Sequence, residues 1–163
     1  TADKKQRAYL INHFLDQFKG TVYRQTMFAE FELEMGRMSE EGQALTADVL
    51  CEKYKELNEL YYGPDIVCDE GIALEWARIP HFFYDYYVFQ YATGFSAAVA
   101  IAERILTEGA PAVADYKRFL SGGSSTDPIS LLKIAGVDMS RPESIDSALA
   151  LFGELIDELD KLS

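Results

Sequence analysis

The chain has little cysteine, little histidine, and much less positive than negative charge. Its two cysteines, Cys51 and Cys68, are not in a CxxC arrangement. Two such residues cannot build a disulfide framework, and a reducing, cytoplasmic setting is expected. Lys and Arg number 15 against 27 Asp and Glu, a net charge of -12. No basic patch stands ready to displace phosphate counterions, so nucleic acid is not expected as a partner. The same deficit argues against an anionic membrane surface. Such acidity reads first as a device for solubility. The segment "TADKKQRAYL" at the start holds no signal-peptide h-region. The longest uncharged run, 86–102, contains Gln90, Thr93, Gly94, Ser96 and three tyrosines. A buried helix of a soluble domain suits it better than a membrane span. Alternating strand patterns, internal repeats and low-complexity stretches are all missing.

What is present is helical periodicity. With 163 residues, 48% hydrophobic and 26% charged, the chain is long enough for one domain with a core and too apolar for disorder. Ile11, Leu15, Phe18 and Val22 fall at helical spacing, and Phe28, Phe31, Met35 and Met38 resume it. Gly20 and Thr21 either mark an irregularity or are carried through by one long helix. Residues 36–42 read as a connection. Thr46 is placed to cap a helix that Gly63 and Pro64 stop. A short amphipathic piece ends near Trp76. Pro80 is suited to the first position of a helix that continues to Thr107. Gly94 within it either costs about 1 kcal/mol or admits another helix. Further helices start at Pro111, at Pro128 behind Asp127, and near Pro142. The expected fold is all-α, an irregular multi-helix bundle of six or seven helices in a single domain, 1–163.

Residues 76–94, "WARIPHFFYDYYVFQYATG", hold eight aromatic rings in nineteen positions. On a continuous helix, His81, Tyr84, Tyr87 and Tyr91 share an arc of about 120°. Phe82, Tyr86 and Phe89 fall on a different arc. Buried phenols need hydrogen-bond partners. One reading makes them core aromatics whose hydroxyls reach backbone carbonyls. The other makes them donors lining a cleft, protonated at neutral pH and able to stabilise an oxyanion.

The stretch "IPHFFYDYYVFQYATG" resembles the C-terminal signature of the oligoendopeptidase F family, zinc metallopeptidases of the thimet-oligopeptidase-like group. "VYRQTMFAEFE", "GQALTADVLCEKYKELNELYYG" and "LSGGSSTDPISLLKIAGVDMSRPESIDSALALF" resemble further family segments in the same order. The resemblance implies a helical peptidase that hydrolyses short peptides in a deep channel. It implies a zinc ion held by an HExxH helix and a later glutamate. It also implies that His81, Tyr84, Tyr87 and Tyr91 bind substrate, with Tyr86 as an alternative. Tyr84, Tyr87 and Tyr91 are the candidates for oxyanion stabilisation.

One departure limits what carries over. The only histidines are His13 and His81, so no HExxH pair exists. His13 reads as an ordinary, partly exposed helix residue. Glu30, Glu32 and Glu34 alternate at a spacing of two, which spreads them over different sides of a helix, and they read as solvated or core-edge carboxylates. The chain is therefore expected to be part of a larger catalytic domain, without a zinc site of its own and inactive alone. Apolar surface left by the missing part is expected to drive self-association into a homo-oligomer. A stand-alone helical interaction module is the alternative.

Overall fold

The computed structural model describes residues 3–162, and every element among them is helical. The longer helices are α1 (Lys4–Phe18), α2 (Arg24–Glu40), α3 (Ala47–Tyr62), α5 (Phe89–Glu108), α6 (Ala110–Ser121), α7 (Pro128–Ile134) and α8 (Glu143–Leu162). A four-residue turn, α4 (Glu70–Ala73), lies between α3 and α5. No described helix is long and apolar enough to cross a membrane.

The expected all-α class is observed, and several ends form as the local chemistry predicts. Thr46 Oγ1 accepts the Val49 N–H at 3.4 Å, and Asp127 accepts the Ser130 N–H at 2.9 Å with Pro128 next in line. Asp69 does the same for Ile72 at 2.8 Å. Gly20 and Thr21 lie in a π-helical turn, Lys19–Tyr23, so the irregular alternative is the one adopted.

Two expected boundaries are corrected. Residues 36–42 are not a connection: α2 runs through Gly36 to Glu40 and buries Met38. Nor does a single helix run from Pro80 to Thr107. Pro80–Phe83 form one 3₁₀ turn, the helical path is lost over 84–88, and α5 starts only at Phe89. Within α5, a Cβ on Gly94 would meet nothing within 4 Å, so this glycine does not admit a neighbouring helix among the described residues.

The chain divides into two compact units, residues 1–18 with 93–163, and residues 19–92. In the first, α1 packs on α8 and α6 on α7. Phe18 is fully buried there between Phe95, edge-on at 5.4 Å, and Phe152, stacked at 4.6 Å. An apolar groove of about 730 Å³ in this unit is lined by Phe14, Val99, Leu106 and Leu151 among others.

The second unit is built on α2 and α3. Met27, Phe28, Phe31 and Met38 meet Leu50, Tyr54 and Leu57, with Ile79 and Val88 closing the cluster. A polar knot anchors the segment before Pro80 to this core. The buried Glu75 carboxylate accepts from Tyr54 Oη at 2.7 Å and from Arg24 at 2.6 Å, and it also pairs with Arg78. Burial works to raise the Glu75 carboxyl, but the Tyr54 hydroxyl and the two guanidiniums outweigh it and hold the group below the usual carboxylate range. Tyr54 is pushed above the ordinary phenol range by its burial and by that carboxylate.

Candidate functional site

The site is built from a break in helical structure. Ile79 and Val88 are both buried in the core of the second unit, so the eight residues between them must loop out and return. Pro80 opens the 3₁₀ turn, and Tyr84 ends it with φ -108°. Asp85 and Tyr86 then take left-handed backbone angles, φ 53° and 59°. Aspartate tolerates this region, but a tyrosine there is strained, at about 1–3 kcal/mol. The two residues reverse the chain's course, and Val88 re-enters the core.

This reversal gathers four rings. His81 stacks on Tyr87 at 5.7 Å and meets the edges of Tyr84 at 5.7 Å and Tyr91 at 6.0 Å. Tyr87 also contacts Tyr84 at 6.1 Å and Tyr91 at 5.5 Å, both nearly perpendicular. The set expected to share one helical arc is therefore together, but a 3₁₀ turn and a left-handed corner bring it together instead of a continuous helix. The other arc does not exist as such. Phe82 points inward, edge-on to Phe28 and Phe31, while Phe89 is half exposed. Tyr86 stands apart from the four rings, its hydroxyl lying against Gly36 of α2.

The cluster is open to solvent. Tyr84, Tyr87 and Tyr91 are 58%, 37% and 39% exposed, and His81 is half-buried. Tyr91 Oη donates to Tyr87 Oη at 3.4 Å. That bond raises Tyr91 above the ordinary phenol range, so it stays protonated at neutral pH. The Tyr87 proton is not consumed by the pair. Chemically, the cluster presents phenolic donors around an imidazole, with ring centroids 5.7–6.0 Å from that of His81, suited to a carbonyl oxygen or an oxyanion.

Beside the cluster lies Glu32, which the sequence did not mark as a site residue. It is 6% exposed, and its Oε1 accepts the Tyr86 N–H at 2.6 Å. Its Oε2 is buried and has no hydrogen-bond partner among the described residues. Burial raises the Glu32 carboxyl; the Tyr86 N–H opposes this, and the nearby Asp85 charge adds to it. Of the two alternatives for Glu32, solvated or core-edge, the solvated one is not adopted. A signal was present: Glu32 is four residues after Phe28 and three before Met35, inside the apolar stripe of α2. Glu30 instead accepts from Tyr61 Oη at 2.6 Å.

No group of three or more His, Cys, Asp or Glu side chains among the described residues is arranged to hold a metal ion. His13 is exposed on α1, bonded to Gln17 at 3.1 Å and stacked on Tyr9. The residues present therefore do not fit the zinc ion that the resemblance implies.

The model of peptidase family M3 matches residues 1–151. The chain belongs to peptidase family M3. Among members of that family, Oligopeptidase PepF of Bacillus subtilis is 54% identical over 160 residues, covering 98% of this chain and 24% of its own length. The chromosomal Oligoendopeptidase F of Lactococcus lactis subsp. cremoris is 46% identical, with 98% of this chain and 27% of its own length aligned. The crystal structure of oligoendopeptidase-F from Enterococcus faecium superposes on 99% of this chain with a TM-score of 0.96 at 48% identity, using 31% of that protein. This M3 chain spans about a quarter to a third of the length of the relatives it matches.

Proposed function

We propose that this chain is the substrate-binding portion of a longer M3 endopeptidase that hydrolyses short peptides, and that it is inactive by itself. His81, Tyr84, Tyr87 and Tyr91 contact the substrate. The observation that carries this reading is the gathering of these four side chains, the tyrosines exposed and His81 half-buried, at one chain reversal. The names of the matched relatives support peptides as the substrate class.

In this reading a substrate carbonyl lies against the cluster. The Tyr84 and Tyr87 hydroxyls donate to its oxygen as negative charge develops, while Tyr91 donates to Tyr87 and fixes the direction of its proton. His81 supports the Tyr87 ring and offers an N–H to a neighbouring peptide group. Tyr86 is left out of the substrate-binding set, because its hydroxyl is turned to α2. The zinc ion is assigned to polypeptide outside this segment. Both cysteines are free thiols, in keeping with a reducing, cytoplasmic setting. Isolated from that polypeptide, the chain is proposed to form a homo-oligomer by covering the apolar groove lined by Phe14, Val99, Leu106 and Leu151. Sedimentation as a monomer at high concentration contradicts that.

The test is single Tyr→Phe replacement at Tyr84, Tyr87 and Tyr91 in the full-length polypeptide. Loss of an oxyanion donor, at Tyr84 or Tyr87, is expected to cost about 10²–10³-fold in kcat with little change in KM, and loss of the supporting Tyr91 hydroxyl less. Wild-type kcat in all three variants overturns the assignment.

A further inference from the structure

The left-handed corner that aims the ring cluster is gripped at two points by one helix. Glu32 and Gly36 are four residues apart on α2 and so lie one above the other on one face. Both act on the same residue. Glu32 Oε1 accepts the Tyr86 backbone N–H at 2.6 Å, and Gly36 provides the space in which the Tyr86 hydroxyl lies. A Cβ at position 36 would overlap that hydroxyl, whereas the ring carbon Cζ behind it would stay at 3.6 Å, an ordinary contact.

The character of Glu32 argues that this grip serves something other than stability. A buried carboxylate with one oxygen unpartnered is costly, and an apolar side chain of similar volume commonly leaves a fold as stable or more so. The one bond the carboxylate makes holds a backbone N–H in a conformation that a tyrosine does not favour. Two unfavourable features, the strained corner and the half-satisfied carboxylate, therefore meet at a single hydrogen bond. On either side of that corner stand His81 and Tyr84, and Tyr87 and Tyr91.

We propose that Glu32 is a positioning residue for peptide hydrolysis: its carboxylate, with Gly36 beneath, holds the Asp85–Tyr86 corner so that the flanking tyrosine hydroxyls converge on the substrate carbonyl. The proposal rests on the reading of the ring cluster as substrate-facing. Glu32 makes no contact with the substrate and acts only through Tyr86.

The experiment pairs kinetics on a fluorogenic peptide with crystal structures, both on the full-length polypeptide. Glu32→Ala is expected to displace residues 84–87 and to lower kcat per folded molecule by about 10–100-fold, the cost of misplacing a catalytic group by about an ångström. Glu32→Gln keeps a carbonyl acceptor for the Tyr86 N–H and is expected to restore most of kcat. The second grip tests the same idea without touching the carboxylate. Gly36→Ala is expected to lower kcat, and adding Tyr86→Phe, which removes the overlapping hydroxyl, to recover it. An undisplaced corner in Glu32→Ala, or activity that falls only with the folded fraction and equally in Glu32→Gln, overturns the positioning role. A displaced corner with kcat intact overturns instead the substrate-facing reading of the cluster. Failure of Tyr86→Phe to recover Gly36→Ala counts against the grip even where Glu32→Ala does not fold.

Discussion

His81 lies face to face with Tyr87, ring centroids 5.7 Å apart and planes within 15° of parallel. A stacked ring restricts rotation of its neighbour, and such pairs contribute about 0.5–1.5 kcal/mol beyond buried area. His81 therefore both offers a polar edge and steadies the phenol beside it. In the full-length polypeptide, His81→Ala is expected to lower kcat by at least tenfold, and His81→Phe, which keeps the stack, to recover part of the loss. Equal kinetics in both variants leave the stack without a role.

The Tyr91–Tyr87 hydrogen bond gives an ordering among the tyrosines. In the proposed arrangement Tyr91 donates to Tyr87 and Tyr87 to the substrate, so Tyr91→Phe is expected to cost less kcat than Tyr87→Phe. The bond also holds Tyr91 above the ordinary phenol range. Its removal in Tyr87→Phe is expected to lower the Tyr91 midpoint in a residue-resolved NMR titration of this chain with ¹³C-labelled tyrosine rings. An unmoved midpoint contradicts the pairing.

Glu75 predicts an acid-sensitive component of stability. Its carboxyl is depressed in the folded protein, so it contributes stability above the unfolded value of about 4.3, and this is lost as pH falls through the lower folded value. Glu75→Gln is expected to destabilise this chain at pH 7 by about 2 kcal/mol, through weakened bonds from Arg24, Arg78 and Tyr54. The gap to wild type should narrow below about pH 4 as the wild-type carboxylate becomes protonated. Chemical denaturation across that range measures it, and a gap that widens on acidification has the wrong sign.

Gly94 predicts a gain. It lies within α5 with open space at its Cβ position. Gly94→Ala is expected to stabilise this chain by about 0.5–1 kcal/mol in thermal or urea unfolding. Destabilisation indicates a neighbour that the glycine admits.

What the sequence made legible was local. The caps at Thr46 and Asp127 and the stop at Gly63 each depend on residues within a few positions of one another. The corner at Asp85 and Tyr86 was not legible, because neither residue is a glycine and the group that holds it, Glu32, lies 54 positions away. Tertiary contact there overrides a helical pattern that looked continuous from Pro80 to Thr107. Gly36 was misread for the same reason: a helix-poor residue suggested a connection, whereas it makes room for Tyr86. The grouping of His81 with Tyr84, Tyr87 and Tyr91 was anticipated on a helix that is not there. Their spacing of three to four residues suits a compact reversal as well as a helix face.

The central claim is that these four rings touch the substrate. Its most direct test is a crystal structure of the full-length polypeptide with a phosphinic peptide, which mimics the tetrahedral intermediate. The expected result is a phosphinyl oxygen within about 3 Å of the Tyr84 or Tyr87 hydroxyl, with His81 and Tyr91 lining the peptide. A peptide bound with no contact to His81, Tyr84, Tyr87 or Tyr91 would contradict the claim.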